Sequence, residues 1–131
     1  MLSVISSDSV FSVKVRWSFL LIILAGITVG SVIEVSGESG GLDLARMTEY
    51  LHLTGYMVLC LSVLLVVAVY TRVDFPILSA AVSVTVGYSL IVEAIQYGIP
   101  YRTFSIYDIY LNIAGVVAAI SIYLVISPYI D

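Results

Sequence analysis

The side chains able to do chemistry in this chain are few, and many of them lie between Glu93 and Asn112. Glu93 and Gln96 are three residues apart, and Asp108 and Asn112 are four apart, so on helices each pair lies on one face. Arg102 lies between the two pairs. This order predicts a hydrogen-bonded network in which Arg102 bridges Glu93 and Asp108. Gln96 and Asn112 would complete its hydrogen bonds, and such a network would hold the loop between the third and fourth spans against the bundle.

The single histidine adds an acid–base group to this set. His52 and Tyr56 are four residues apart and share a helix face, and Gly55 beside them is small enough to let another helix approach. A hydrogen-bonded role at the membrane interface is the alternative for His52. If the protein is an enzyme, His52 and Glu93 are the catalytic candidates. One histidine with oxygen ligands matches the usual zinc sites poorly, so neither a metal nor a cofactor is predicted.

Structural roles compete with functional ones at the fourth helix. Ser105 and Asp108 have the spacing of a capping box, so Asp108 would begin a helix instead of binding a ligand. Asn112 would then be a hydrogen-bonding contact between helices. Gly115 and Ala119 continue the same face with two small residues four positions apart, a spacing that permits close helix approach.

Composition places the 131-residue chain among membrane proteins. It is 61% hydrophobic and 11% charged, with a mean hydropathy of +1.14. Its net charge of −4 argues against nucleic acid as a partner, because a basic face is the usual mark of such binding. Cys60 is the only cysteine, so neither an intrachain disulfide nor a cysteine-based zinc cluster is possible.

Apolar segments near the length of a bilayer span predict an all-α membrane protein, a compact bundle of four transmembrane helices. The predicted organisation is an N-terminal tail over residues 1–16 and one domain over residues 17–131. The first apolar segment could alternatively be a secretory signal, but it is longer than the usual apolar core of one. The predicted spans cover residues 17–35, 50–70, 76–99 and 106–126.

Basic residues near the span ends predict the orientation. Placing the N terminus inside the cell puts Lys14, Arg16 and Arg72 in the cytoplasm and leaves Arg46 and Arg102 outside. This three-to-two balance predicts a multi-pass protein of the cell membrane with both termini cytoplasmic.

Alternating spans bring most of the polar side chains to one membrane face, which we call the polar pole. The end of the first span, the start of the second, the end of the third and the start of the fourth all meet there. With the termini cytoplasmic, this face is extracytoplasmic. The members of the polar pole are Glu34, His52, Glu93, Gln96, Arg102, Asp108 and Asn112.

The order and spacing of these residues resemble the VanZ-like family of membrane proteins. The resemblance extends from about residue 49 to about residue 119, and each of its motifs is short. One departure precedes the histidine, where family members often carry an acidic–basic pair and this chain has Thr48 and Glu49. The matching residues are His52 with Tyr56, Glu93 with Gln96, Arg102 after Pro100, and Asp108 with Asn112 and Gly115.

The resemblance implies an integral membrane protein of the cell envelope, in a family named for a member associated with resistance to the glycopeptide teicoplanin. It does not supply a mechanism. The leading hypothesis is that the polar pole binds a lipid headgroup or a lipid-linked glycan, with Arg102 holding a phosphate or another anion. One alternative is an intramembrane enzyme that acts on a lipid-linked substrate. The other is a scaffold that assembles with other membrane proteins or with copies of itself.

Overall fold

Four α-helices follow one another along the chain in the computed structural model, which describes residues 7–33, 41–102 and 104–129. No strand occurs within these ranges, and the predicted all-α four-helix bundle is confirmed. The helices are α1 (Ser7–Val32), α2 (Gly41–Val67), α3 (Phe75–Tyr97) and α4 (Ile106–Ile126), and a short 3-10 helix covers Ser127–Tyr129.

Each helix contains a segment long and apolar enough to cross a bilayer, so the chain is that of a multi-pass membrane protein. The apolar segments are Ser12–Val32, Arg46–Val67, Phe75–Tyr97 and Ile106–Tyr129. The predicted start of the fourth span, Ile106, is confirmed as the first residue of α4. α1 and α2 begin about ten residues earlier than the predicted spans, because polar residues continue a helix beyond its apolar segment.

Local chemistry sets the starts of α3 and α4. Asp74 accepts a hydrogen bond from the backbone nitrogen of Ile77 (3.2 Å) at the start of α3, and Pro76 occupies its first turn. Ser105 stands at the start of α4 in an extended conformation, but its side chain makes no capping hydrogen bond. The carboxylate of Asp108 turns toward His52 instead. The predicted capping box is therefore wrong for Ser105, whose side chain does not cap the helix.

The closest approach in the bundle is between α2 and α4. A Cβ atom added at Gly115 would clash with the carbonyl oxygen of Leu53 and lie 2.9 Å from the backbone nitrogen of Met57. Any larger residue would push the two helices apart. Gly55 differs, because a Cβ there would meet the Ile27 side chain at an ordinary 3.8 Å. Around this contact lies an apolar core that includes Cys60, Leu64, Val116, Ala119 and Tyr123.

Helix α1 lies at the edge of the bundle. Within its apolar segment no side chain that the structure describes is buried. Two polar contacts join its first half to α2 and the turn that follows: Arg16 Nη1 donates to the carbonyl oxygen of Leu65 (2.7 Å) and Trp17 Nε1 donates to the hydroxyl of Tyr70 (2.8 Å). The Leu65 carbonyl needs a donor because the backbone nitrogen of Val69 bonds to Val66 instead.

Candidate functional site

Four polar side chains from three helices meet where α3 ends and α4 begins, and we call them the polar cluster: His52, Glu93, Asp108 and Asn112. His52 Nδ1 lies 2.9 Å from Asn112 Oδ1 and 3.7 Å from Glu93 Oε1. His52 Nε2 lies 3.9 Å from Asp108 Oδ2. The histidine therefore stands between two carboxylates and is held by an amide.

The helices position each member of the polar cluster for a local reason. The close contact at Gly115 brings α4 against α2, so that Asn112, one turn before the glycine, reaches His52. Glu93 lies on the buried face of α3 together with Ser89 and Gln96. Asp108 lies in the first turn of α4, where the helix dipole favours a carboxylate.

The polar cluster contains buried groups without hydrogen-bond partners. Glu93 is only 1% exposed, and neither of its carboxylate oxygens has a hydrogen-bond partner among the described residues. Asn112 lies beside this carboxyl group, but its Nδ2 is not positioned to donate a hydrogen bond to it or to another described residue. The hydroxyl of Tyr56, which lies next to the polar cluster, also lacks a hydrogen-bond partner among the described residues. Each such group costs about 1–3 kcal/mol, so the arrangement is one that a bound ligand would stabilise.

Of the polar cluster, only His52 and Asp108 reach the surface. Their side chains are 11% and 17% exposed, whereas Glu93 beneath them is almost fully covered. Tyr56 packs against the polar cluster: its ring stacks on the His52 imidazole with centroids 6.5 Å apart and also contacts the ring of Tyr88. The polar cluster thus has an accessible edge, formed by His52 and Asp108, and an aromatic ring, that of Tyr56, packed against it.

Arg102 does not belong to the polar cluster. Its Nη2 donates to the carbonyl oxygens of Gly30 (2.7 Å) and Ile33 (2.6 Å) near the end of α1. It makes no ion pair with Glu93 or Asp108 within the part of the chain that the structure describes, so the predicted arginine bridge is wrong. The physical reason is that the last carbonyls of a helix lack partners within the helix, and a guanidinium group satisfies them well.

Two further side chains complete this contact with α1. Gln96 Nε2 donates to the carbonyl oxygen of Ser31 (3.1 Å), and the Tyr101 hydroxyl donates to that of Val32 (2.6 Å). Together with Arg102 they satisfy four consecutive carbonyls, residues 30–33, and we call these three residues the α1 clasp. Sequence reasoning placed Gln96 in the ligand site and missed the clasp. The unpaired carbonyls that every helix end must present were the available signal.

The remaining predicted site residues lie as follows. Tyr56 is buried below His52, Gly115 and Ala119 are buried in the contact of α4 with the bundle, and Gly55 faces Ile27 of α1. Glu34, which was predicted to complete the polar pole, lies outside the described residues.

Two kinds of chemistry fit the polar cluster. The 3.7 Å between His52 Nδ1 and Glu93 Oε1 is compatible with acid–base partners joined directly or through one water, so the enzyme hypothesis stays a prediction. His52, Glu93 and Asp108 also each offer one potential metal ligand, and these three atoms lie within 4.8 Å of one another.

Comparison with known families identifies the chain. Residues 40–127, which are 88 of its 131 residues, match the model of a family described as VanZ/LLP1. Searches of curated proteins and of solved structures gave no match. The matched segment includes all of α2, α3 and α4 and contains the entire polar cluster. The chain therefore belongs to the VanZ/LLP1 family.

Proposed function

We propose that this protein of the cell membrane binds the hydroxyl-rich headgroup of a membrane lipid or a lipid-linked glycan at the polar cluster. The observation that carries the proposal is a group of buried polar atoms without described partners in and beside the polar cluster: the Glu93 carboxylate oxygens, the Asn112 amide nitrogen and the Tyr56 hydroxyl. They offer hydrogen-bond acceptors, a donor and a group that is both. Sugar and polyol hydroxyls, which donate and accept, complement all three.

The charges of the site favour hydroxyl groups over a phosphate. The polar cluster has two carboxyl groups around one imidazole, so an anion would meet like charge. Arg102, the cation expected to hold a phosphate, is bound to the end of α1. This contact changes the expected ligand class from an anionic headgroup to a neutral, hydroxyl-bearing one.

The surroundings suit a ligand that arrives within the membrane. His52 and Asp108 form the accessible edge, so a headgroup would enter beside the start of α4 and reach Glu93 from there. Tyr97 and Tyr107 are exposed at the same end of the bundle. Tyrosine rings are enriched at the level of lipid headgroups. Tyr97 and Tyr107 would therefore line the path by which a headgroup reaches the polar cluster.

The test is native mass spectrometry with lipid identification on the protein purified in mild detergent. We expect a glycolipid or lipid-linked glycan to be retained by the parent protein. In Tyr56→Phe, which loses only the buried hydroxyl, loss of one hydrogen bond worth about 1 kcal/mol would weaken retention roughly fivefold.

Tyr110→Phe is the matched control, because it removes a hydroxyl from an exposed tyrosine of α4. Its lipid retention should equal that of the parent. Equal retention by Tyr56→Phe, or selective retention of an anionic phospholipid without sugar hydroxyls, would contradict the proposal.

A further inference from the structure

We propose that the polar cluster binds one divalent transition-metal cation, with His52, Glu93 and Asp108 as ligands. This inference does not depend on the lipid proposal, because the side chains of the protein supply the ligands. It rests on two independent observations. One is the convergence of three ligand atoms from three helices, and the other is a buried carboxylate without a hydrogen-bond partner among the described residues.

The distances suit a common cation after a small adjustment. Two ligands of one ion lie at most about 4.2 Å apart when each metal–ligand distance is about 2.1 Å. His52 Nε2, the ring nitrogen that would bind the cation, lies 3.9 Å from Asp108 Oδ2. All three ligand atoms lie within 4.8 Å of one another. Side-chain rotations that shorten a separation by less than about 0.6 Å would complete the site.

Electrostatics give a strong reason for a cation at this position. An ionised carboxylate buried without a partner is costly, and more so in a helix that crosses a membrane. Glu93 is buried by α3 and its neighbours, and the carboxylate of Asp108 is close by. Arg102 is directed to α1, and Arg46, the other described arginine at this end, is exposed and makes no ion pair with the polar cluster in the described part of the chain. A divalent cation would neutralise both carboxylates and satisfy one Glu93 oxygen, and it would leave the second Glu93 oxygen, Asn112 Nδ2 and the Tyr56 hydroxyl for a hydroxyl-bearing ligand.

The His52–Asn112 contact has the form of an outer-shell interaction. Donation of Nδ1–H to Asn112 Oδ1, 2.9 Å away, leaves Nε2 unprotonated and free to bind a cation. Histidines that bind metals commonly donate their other ring N–H to an oxygen in this way, which fixes the ring orientation. Asn112 thus has a positioning role in the proposed site.

The ligand chemistry selects the class of metal. One imidazole nitrogen with two carboxylates favours first-row ions such as Mn²⁺ and Zn²⁺. Ca²⁺ prefers six to eight oxygen ligands, and the described residues of the polar cluster offer fewer. Zn²⁺ should bind more tightly than Mn²⁺, as the general order of divalent affinities requires.

The experiment uses the full chain in detergent after treatment with a chelator. Mn²⁺ is added, and the free ion is followed by electron paramagnetic resonance. We expect one Mn²⁺ bound per chain and its release when Zn²⁺ is added. Glu93→Gln and His52→Gln should each weaken Mn²⁺ binding at least tenfold. Circular dichroism should show that both variants keep the helical content of the parent.

Asp74→Asn is the matched control, since it removes an exposed carboxylate at the opposite end of α3 and an asparagine still caps the helix. It should bind Mn²⁺ like the parent. The proposal is overturned if the parent binds no Mn²⁺, if Glu93→Gln binds it equally well, or if Asp74→Asn loses it to the same extent. Tyr56→Phe should keep the metal, so failure of metal binding and failure of lipid retention are separate results.

Discussion

At the scale of single residues, the polar cluster keeps groups that a stable membrane bundle does not require. Glu93 and Asn112 of the cluster, and Tyr56 beside it, all bury polar atoms without described partners. Burial of this kind lowers stability, and sites that bind ligands commonly contain it. The same atoms that destabilise the free protein would contribute affinity once a ligand supplies their partners.

Tyr56→Phe should therefore raise the thermal stability of the lipid-free protein. The substitution removes an unpartnered hydroxyl at a side chain that is 2% exposed, and it keeps the ring contacts with His52 and Tyr88. We expect a gain of about 1 kcal/mol, measured by thermal unfolding in detergent. Tyr110→Phe should leave the midpoint unchanged. A lower midpoint for Tyr56→Phe would mean that its hydroxyl has a partner within the protein.

At the scale of helices, the α1 clasp joins the end of α1 to the end of α3 and the turn that follows it. Arg102→Ala should loosen the end of α1, because it removes two charge-assisted hydrogen bonds to the carbonyls of Gly30 and Ile33. We expect a loss of about 2 kcal/mol and faster hydrogen exchange in the last turn of α1. Mn²⁺ binding should persist, since Arg102 is bonded to α1.

Arg72→Ala is the matched control for the clasp, because Arg72 is an exposed arginine at the opposite end of the bundle. It should leave hydrogen exchange at residues 30–33 unchanged. Loss of Mn²⁺ binding in Arg102→Ala, with α1 still protected, would place Arg102 in the polar cluster after all.

The contact between α2 and α4 is sensitive to a single glycine. In Gly115→Ala the new Cβ would clash with the Leu53 carbonyl oxygen, which is backbone and has little freedom to move. We expect a destabilisation of about 1–3 kcal/mol and weaker Mn²⁺ binding, because Asn112 and Asp108 would move with α4. Gly55→Ala is the control, and thermal unfolding should show it close to the parent. Equal stability of the two variants would contradict this account.

At the scale of the whole molecule, apolar side chains are exposed on all four helices while the polar cluster lies inside at one end. Lipid would cover the apolar surface. The orientation predicted from the basic residues puts the polar cluster outside the cytoplasm. Ligands such as glycolipids or envelope glycans would reach it from that side.

Cysteine labelling tests this orientation. In a Cys60→Ala background, an impermeant thiol reagent added to intact cells should modify Tyr107→Cys and should not modify Asp74→Cys. Both positions are exposed and lie at opposite ends of the bundle. Modification of Asp74→Cys alone would reverse the topology and place the polar cluster at the cytoplasmic face.

The sequence by itself determined the four helices, the family and the residues from which the polar cluster is drawn. Hydropathy and helical periodicity are local properties, and an apolar segment in a bilayer must be helical. Tertiary structure decided the partners. His52 and Asn112 are 60 residues apart and Arg102 and Gly30 are 72 apart, so their pairing depends on how the helices rotate and tilt against one another. For the same reason only the fold distinguishes Gly115, which has no room for a Cβ, from Gly55, which does.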